Sequence, residues 1–429
     1  MNLVSSGYVR AASAFSPVRL AIILLLIAHG IAVGGEAPLT LDEAVALSVQ
    51  EAPQIAAARA SLEGAEALAP SANRLPDPEA IVGIDNLPIN TVDRYSLTSD
   101  FMTMRKIGVM QTVPNGAKRR LRGERAAREI DLAHAQLLAS RFDASRAAAE
   151  AWIACATSDQ ALKRLRSLRS NLGLQSDAAR ASLASGRGTA DDALASETLV
   201  ARLDDRILVL EQEFAVQRAE LSRWVGANAG RDFAELPVDR ELGAAPQALI
   251  ENVAEHPPLA PLAAGLEVAR AEVALAKAER RPDWSAELSY AKRGPDFSDM
   301  VSLEFRIGLP LFAGHRQNPV IAAKLANVRA EEASQQAEVR MHRAEIEGTL
   351  AQWQSGRMRL KQFDSRLLPL AHDRANAVLA SYRSGRGELR PMIEALQDEI
   401  DLQLEYVELE GAVARAWVFL HLLHGGAQS

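Results

Sequence analysis

Two stretches of the chain alternate apolar and charged positions over lengths that only helices sustain. From Ala117 to Ala184 the only glycines are Gly123 and Gly173, with no proline; from Ala322 to Arg383 the only interruptions are Gly348, Gly356 and Pro369. At 1.5 Å of rise per residue, each arm approaches about 100 Å. Each ends in the same four residues, SGRG at 185–188 and again at 384–387, and a return helix then runs to Gly226 or Gly425. Helices of this length cannot bury an apolar stripe alone and need partners in a bundle or coiled coil.

Ahead of each arm the period changes. A helical stretch, 41–70 in the first half and 246–280 in the second, stops at an Arg-x-Pro-Asp punctuation: Arg74, Pro76, Asp77 and Arg280, Pro282, Asp283. Two alternating, strand-like segments follow in each half. They are EAIVGIDNL (79–87) and FMTMRKIGVMQTV (101–113), then SAELSYAK (285–292) and MVSLEFRIGL (300–309). Their lengths suit membrane-spanning strands and ordinary short strands equally.

The order of elements is therefore duplicated. Glu51 and Pro53 match Glu255 and Pro257 at an offset of 204, and Asp77 matches Asp283 at 206. Pro114 answers Pro310 at 196, Gly116 answers Gly314 at 198, and the two SGRG turns lie 199 apart. Offsets that drift while order holds predict two structural repeats, 36–228 and 229–429, behind a leader at 1–35.

That leader carries Arg10 and Arg19 before the apolar run Leu20 to Val33, with Gly34 and Gly35 after it. This is the layout of a cleaved signal peptide, cut near Gly35. An uncleaved anchor would need about 20 apolar residues to span a bilayer, more than this run offers. No later run is long enough for a transmembrane helix.

Composition narrows the class. Hydrophobic residues are 48% of the chain but aromatics only 5%, so Ala and Leu dominate and favour closely packed helices. A net charge of −7 speaks against a nucleic-acid partner. The single cysteine, Cys155, cannot form an internal disulfide and reads as a small core side chain. No nucleotide-binding loop, catalytic triad or metal-hydrolase motif is present. The sequence predicts no enzyme, no catalytic residue and no cofactor.

Four strands cannot close a transmembrane barrel, since single-chain barrels start at about eight. An open edge cannot face lipid, where its amides and carbonyls would go unsatisfied. If these strands enter a membrane, several chains must share one barrel.

The signal peptide, the repeated order of helix, strand, strand, long helix, turn and helix, and the tip glycines resemble outer-membrane efflux proteins of the TolC type. The likeness runs from about Leu39 to Gly425, and RLPDPEAIVGIDNLP with DFMTMRKIGVMQTVP resembles the heavy-metal branch, the cobalt–zinc–cadmium and copper–silver exporters. The resemblance implies a mainly α fold with a small β part. It implies a homotrimer with four strands per chain, whose outer-membrane barrel continues into an α-helical coiled-coil barrel in the periplasm. The function implied is a passive exit duct of a tripartite pump, carrying heavy-metal cations. Its partners would be a periplasmic adaptor (membrane fusion) protein, an inner-membrane proton-driven transporter and outer-membrane lipid. The alternatives are a drug or type I secretion duct of the same family, or a soluble periplasmic coiled-coil scaffold.

On that resemblance the SGRG turns are where the adaptor docks: Gly186, Arg187 and Gly188, with Gly385, Arg386 and Gly387. Gly186 and Gly385 would supply the positive φ of a tight reversal, and Gly188 and Gly387 a close backbone approach. A plain helical hairpin would need such turns too. Asp191, Asp192, Glu388 and Glu394 could ring an aperture once a trimer repeats them. Three of them are explained as well by the helix dipole. Pro114 and Pro310 mark the junctions from strand to helix. His421 and His424 sit one turn apart without a third ligand, and read as dipole-complementing residues rather than a metal site. Met102, Met104 and Met110 alternate along one strand, which packing against lipid or a neighbour explains more simply than copper binding.

Overall fold

The computed structural model describes residues 37–90, 92–186, 188–243, 245–384 and 386–425. The expected signal peptide at 1–35, and Arg187 and Gly385 of the tips, lie outside the described residues. In chain order the elements are α1 (Leu41–Glu51), α2 (Pro53–Ala72), β1 (Glu79–Asp85), β2 (Met104–Val113), α3 (Gly116–Ala184) and α4 (Ala190–Val225). The second half adds α5 (Pro246–Glu251), α6 (Ala260–Ala278), β3 (Trp284–Lys292), β4 (Met300–Ile307), α7 (Gln317–Gln362), α8 (Leu368–Arg383) and α9 (Leu389–Gly425).

The expected class is found, mostly helix with one small antiparallel sheet in the order β1-β2-β3-β4. The expected first helices are broken, however. Ala52, ahead of Pro53, is extended (φ −66°, ψ 120°), as is His256 ahead of Pro257 (φ −68°, ψ 140°). A proline's Cδ crowds the preceding residue out of the helical region, so 41–70 and 246–280 each divide. The second arm is interrupted too, by a π-turn at Phe363–Leu367. Pro369 cannot donate to the carbonyl four residues back and collides with it; the wider turn just upstream accommodates both. The first arm has no such residue, and α3 runs unbroken for 69 residues.

The main core lies where α3, α4, α7 and α9 come together under α1 and the 226–259 connection. Trp152, Ile153, Leu221, Ile346, Val413 and Leu420 are at its centre. Cys155 is buried there as expected, and burial pushes its thiol up to about 12. A second core, around Leu165, Leu199, Leu203, Leu396 and Ile400, binds the two helical hairpins along their outer lengths. Among the described residues, no helix is long and apolar enough to cross a membrane.

One buried polar cluster predicts a pH effect. His256 Nδ1 lies 3.2 Å from His342 Nε2, and His342 Nδ1 lies 3.2 Å from Glu345. Burial first, and the neighbouring His342 second, lower the His256 pKa to about 4. A histidine kept neutral in the folded state costs nothing above the ordinary value near 6.5. Stability is lost progressively as pH falls from there to about 4, by up to about 3 kcal/mol. Thermal melts of His256→Gln should show a shallower decline across that window than the wild type; identical slopes would contradict the assignment.

Candidate channel wall, junctions and tips

The sheet has two unlike faces, fixed by alternation and register. Ala80, Val82 and Ile84 of β1 pair with Val109, Ile107 and Arg105, and Val109 and Ile107 pair with Leu288 and Tyr290. Leu288, Ala286 and Trp284 in turn pair with Leu303, Phe305 and Ile307. Apart from Arg105 at one end, this face is apolar across all four strands, and it is uncovered: Val82 is 81% exposed, Leu288 57%, Leu303 64% and Phe305 63%. A soluble sheet would cover such a face with helices.

The opposite face is joined by charge. Glu287 of β3 is 4% exposed and receives Lys106 of β2 at 3.2 Å and Arg306 of β4 at 2.9 Å. Lys106 also reaches Asp85 of β1 at 3.6 Å, and Arg306 reaches Glu304 at 2.6 Å. One network thus ties the four strands together. Sequence reasoning missed it, although each strand carries a charged residue on the polar phase of its alternation. The methionines fall differently from the expectation of lipid or neighbour packing. Met102 precedes the strand, Met104 is opposite Asp85, and the Met110 sulfur lies 3.3 Å from Arg306 on the polar face. The strand begins at Met104, three residues later than the expected 101, which leaves Met102 out of the alternation.

Both junction prolines end a strand before a long helix, but only the first is packed: Pro114 is buried, and Pro310 half-buried. Behind Pro114 the Asn115 amide donates to Asp283 at 2.8 Å, and the Asn115 side chain caps α3 by accepting from Ala117 at 3.0 Å. Lys118, 3% exposed, reaches Asp283 at 2.9 Å and Glu279 at 3.0 Å. Burial alone would lower the Lys118 pKa; hydrogen bonds to the two carboxylates outweigh it and raise it. The first half's junction is therefore locked by the second half's Arg-x-Pro-Asp punctuation.

The tips are helix C-caps. Gly186 has φ +71° with open space where a Cβ would stand, and its amide donates to Leu183 at 2.9 Å. At the other tip the Arg386 amide donates to Ser381 at 3.1 Å, the long-range bond of a Schellman cap. Gly188 and Gly387 each donate to the carbonyl six residues back, Ser182 and Ser381, at 3.1 Å. A Cβ would stand 3.1 Å from the Leu183 amide nitrogen at Gly188, and 3.0 Å from that of Tyr382 at Gly387. Close backbone approach is what these two glycines permit.

Thr189 caps α4 by accepting from the Asp192 amide at 3.1 Å. Asp191, Asp192 and Glu394 line one groove between the starts of α4 and α9, together with Arg202 and Arg390. Glu388 is exposed at the head of α9 and does not line that groove. His421 stacks on Trp417 with ring centres 4.6 Å apart, and burial first lowers its pKa. It packs as a half-buried ring near the end of α9. Among the described residues, no group of three or more potential ligands could hold a metal.

Residues 249–426 match the family described as outer membrane efflux protein. No curated protein matches the chain. Among solved structures, the outer-membrane channel OprN has a TM-score of 0.73 at 18% identity, covering 90% of each chain. The Campylobacter jejuni CmeC outer membrane channel scores 0.75 at 13% identity, covering 90% of this chain and 85% of its own. CusC, solved in a study of transmembrane channel formation, scores 0.67 at 15% identity, covering 89% and 91%. At such identities the likeness shows the fold. The matched family consists of channels and not of enzymes. The chain has the fold of the solved outer-membrane channels, and together with the match over its second half this supports the TolC-type outer membrane efflux family.

Proposed function

We propose that the chain is the outer-membrane exit duct of a tripartite efflux pump, working as a homotrimer with a cleaved leader. The observation that carries the reading is the sheet: one uncovered apolar face, and an opposite face tied by Lys106, Glu287 and Arg306. Lipid would cover the first and water would fill the space behind the second. The central strands, β2 with 10 residues and β3 with 9, match the roughly 9–11 residues that a tilted strand needs to span a bilayer. Three copies supply twelve strands, above the minimum of about eight. Residues 36–228 and 229–429 act as two repeats, each giving one hairpin of strands and one of helices. A soluble scaffold has no use for that sheet.

The cargo we propose is heavy-metal cations, on the likeness of residues 74–88 and 100–114 to that branch. The tips dock the periplasmic adaptor, which links the duct to a proton-driven transporter. The test is complementation in cells lacking their own duct, with a panel of metals and drugs. Restored resistance to metals, with a trimer in the outer membrane by native mass spectrometry, is expected. Resistance to organic compounds alone would overturn the cargo, and a monomer in a soluble fraction would overturn the duct.

A further inference from the structure

The apolar face of the sheet closes on a pair of cations. The helices α2, α3, α6 and α7 join the sheet where β1 and β3 begin and β2 and β4 end, so the loops 86–103 and 293–299 lie at its opposite end. Along β3 this face runs Trp284, Ala286, Leu288 and Tyr290, and then reaches Lys292, the last residue of the strand. Lys292 is the register partner of Arg105, which pairs in turn with Ile84. Trp284 and Tyr290 are both exposed, one ring near each end of the apolar band. Membrane barrels place aromatic girdles in that way at the two interfaces.

Like charges directly opposite each other across a strand pair repel. Arg105 and Lys292 stand so, and no carboxylate among the described residues forms an ion pair with either. The groups around them are otherwise engaged. Asp85, on the opposite face, meets Lys106. Asp299 accepts from the Tyr290 hydroxyl, and Asp100 from the Met102 amide at 2.7 Å. Arg293 directs its donors to carbonyls, Nε to Ser298 at 2.7 Å and Nη1 to Phe101 at 3.4 Å. Arg105 gives Nη2 to the Arg293 carbonyl at 2.9 Å, and Lys292 is exposed.

We propose that Arg105 and Lys292 together bind the phosphate of an anionic lipid headgroup in the outer leaflet, one site per chain, with Tyr290 below it at the edge of the apolar band. The site rests on the proposed duct: the helices then occupy the periplasm, and the loop end of the sheet meets the outer leaflet. Three features favour a headgroup over a free anion. The pair is continuous with the uncovered face, so acyl chains lying on Leu288, Ile107 and Val82 bring a phosphate to its level. A cation on the lipid side of a barrel is tolerated near the interface and costly at mid-depth, and these two stand at the end of the band. A guanidinium beside an ammonium offers several charged donors to the several oxygens of one phosphate.

The test is native mass spectrometry of the detergent-purified trimer with three probes: a bisphosphorylated diglucosamine lipid (lipid A), the same lipid stripped of its phosphates, and inorganic phosphate. The wild type should retain one phosphorylated lipid per chain, hold the stripped lipid weakly, and not release the phosphorylated lipid to excess inorganic phosphate. Lys292→Gln and Arg105→Gln should each weaken retention about fivefold, and the double variant should lose the preference for phosphate. Arg105→Lys keeps the charge but gives up the bond to the Arg293 carbonyl, so it should keep most of the preference. A loss as large as that of Arg105→Gln would overturn the pair. Arg340→Gln, exposed on α7, should change nothing. Equal retention of the two lipids, an undiminished preference in the double variant, or displacement by inorganic phosphate would overturn the site. If the double variant does not assemble, Lys292→Glu decides alone, since the Lys292 side chain is exposed. Absence of any trimer would instead overturn the duct on which the site rests.

Discussion

Replacing Trp152 by alanine should cost about 3–5 kcal/mol and leave little folded protein. Trp152 is fully buried on α3, edge-to-face with Phe233 at 6.2 Å between ring centres. Its Nε1 donates to the Leu39 carbonyl at 3.0 Å, and the Leu39 backbone pairs in turn with Asp232 and Ala234. The substitution opens a cavity among helices that cannot close on it, and leaves the Leu39 carbonyl with the Ala234 amide, at 3.1 Å, in place of two donors. Against a whole stability of about 5–15 kcal/mol this is a large share of the margin. Thermal melts and protein levels check it. Trp152→Phe should fall between, keeping part of the packing but losing the donor. A wild-type melt for the alanine variant would mean that this core is not where the helices are held.

The tips should behave in the opposite way, with function lost and the fold retained. Gly186→Val and Gly385→Val should abolish export yet leave trimer and membrane insertion intact. A β-branched residue at the φ of +71° seen for Gly186 costs roughly 1–2 kcal/mol, which the long hairpins can absorb. Gly385 is expected to need the same conformation as the residue before Arg386 in the second cap. Arg386→Glu should weaken adaptor binding, more so at low salt, because exposed charges are screened at high ionic strength. The measurements are resistance in duct-deficient cells alongside immunoblots for trimer. Full resistance in both valine variants would make the tips simple turns.

Much of this architecture could be read from the chain. Strand alternation, proline punctuation and long unbroken arms are local signals, because period 2, period 3.6 and a missing amide act within a few residues. The expectation of two repeats rested on matching punctuation in the two halves. Strand ends and helix breaks were less legible: Ala52 and His256 leave the helix through the proline that follows each, a signal that was present but unused. The Schellman bond to Ser381 was implicit in SGRG, since only a residue without a Cβ takes the positive φ easily.

What the sequence determined by itself was the order of helices and strands and the glycine turns, which local stereochemistry dictates. The tertiary structure decided which residues meet. It placed Glu287 between Lys106 and Arg306, gave Lys118 to Asp283 165 positions away, and gathered Asp191, Asp192 and Glu394 while leaving Glu388 apart. It also stacked His421 on Trp417. The physical reason is common to all of these. Charge and burial depend on distance in space, and the register between strands or helices far apart in sequence is set only when the halves pack together.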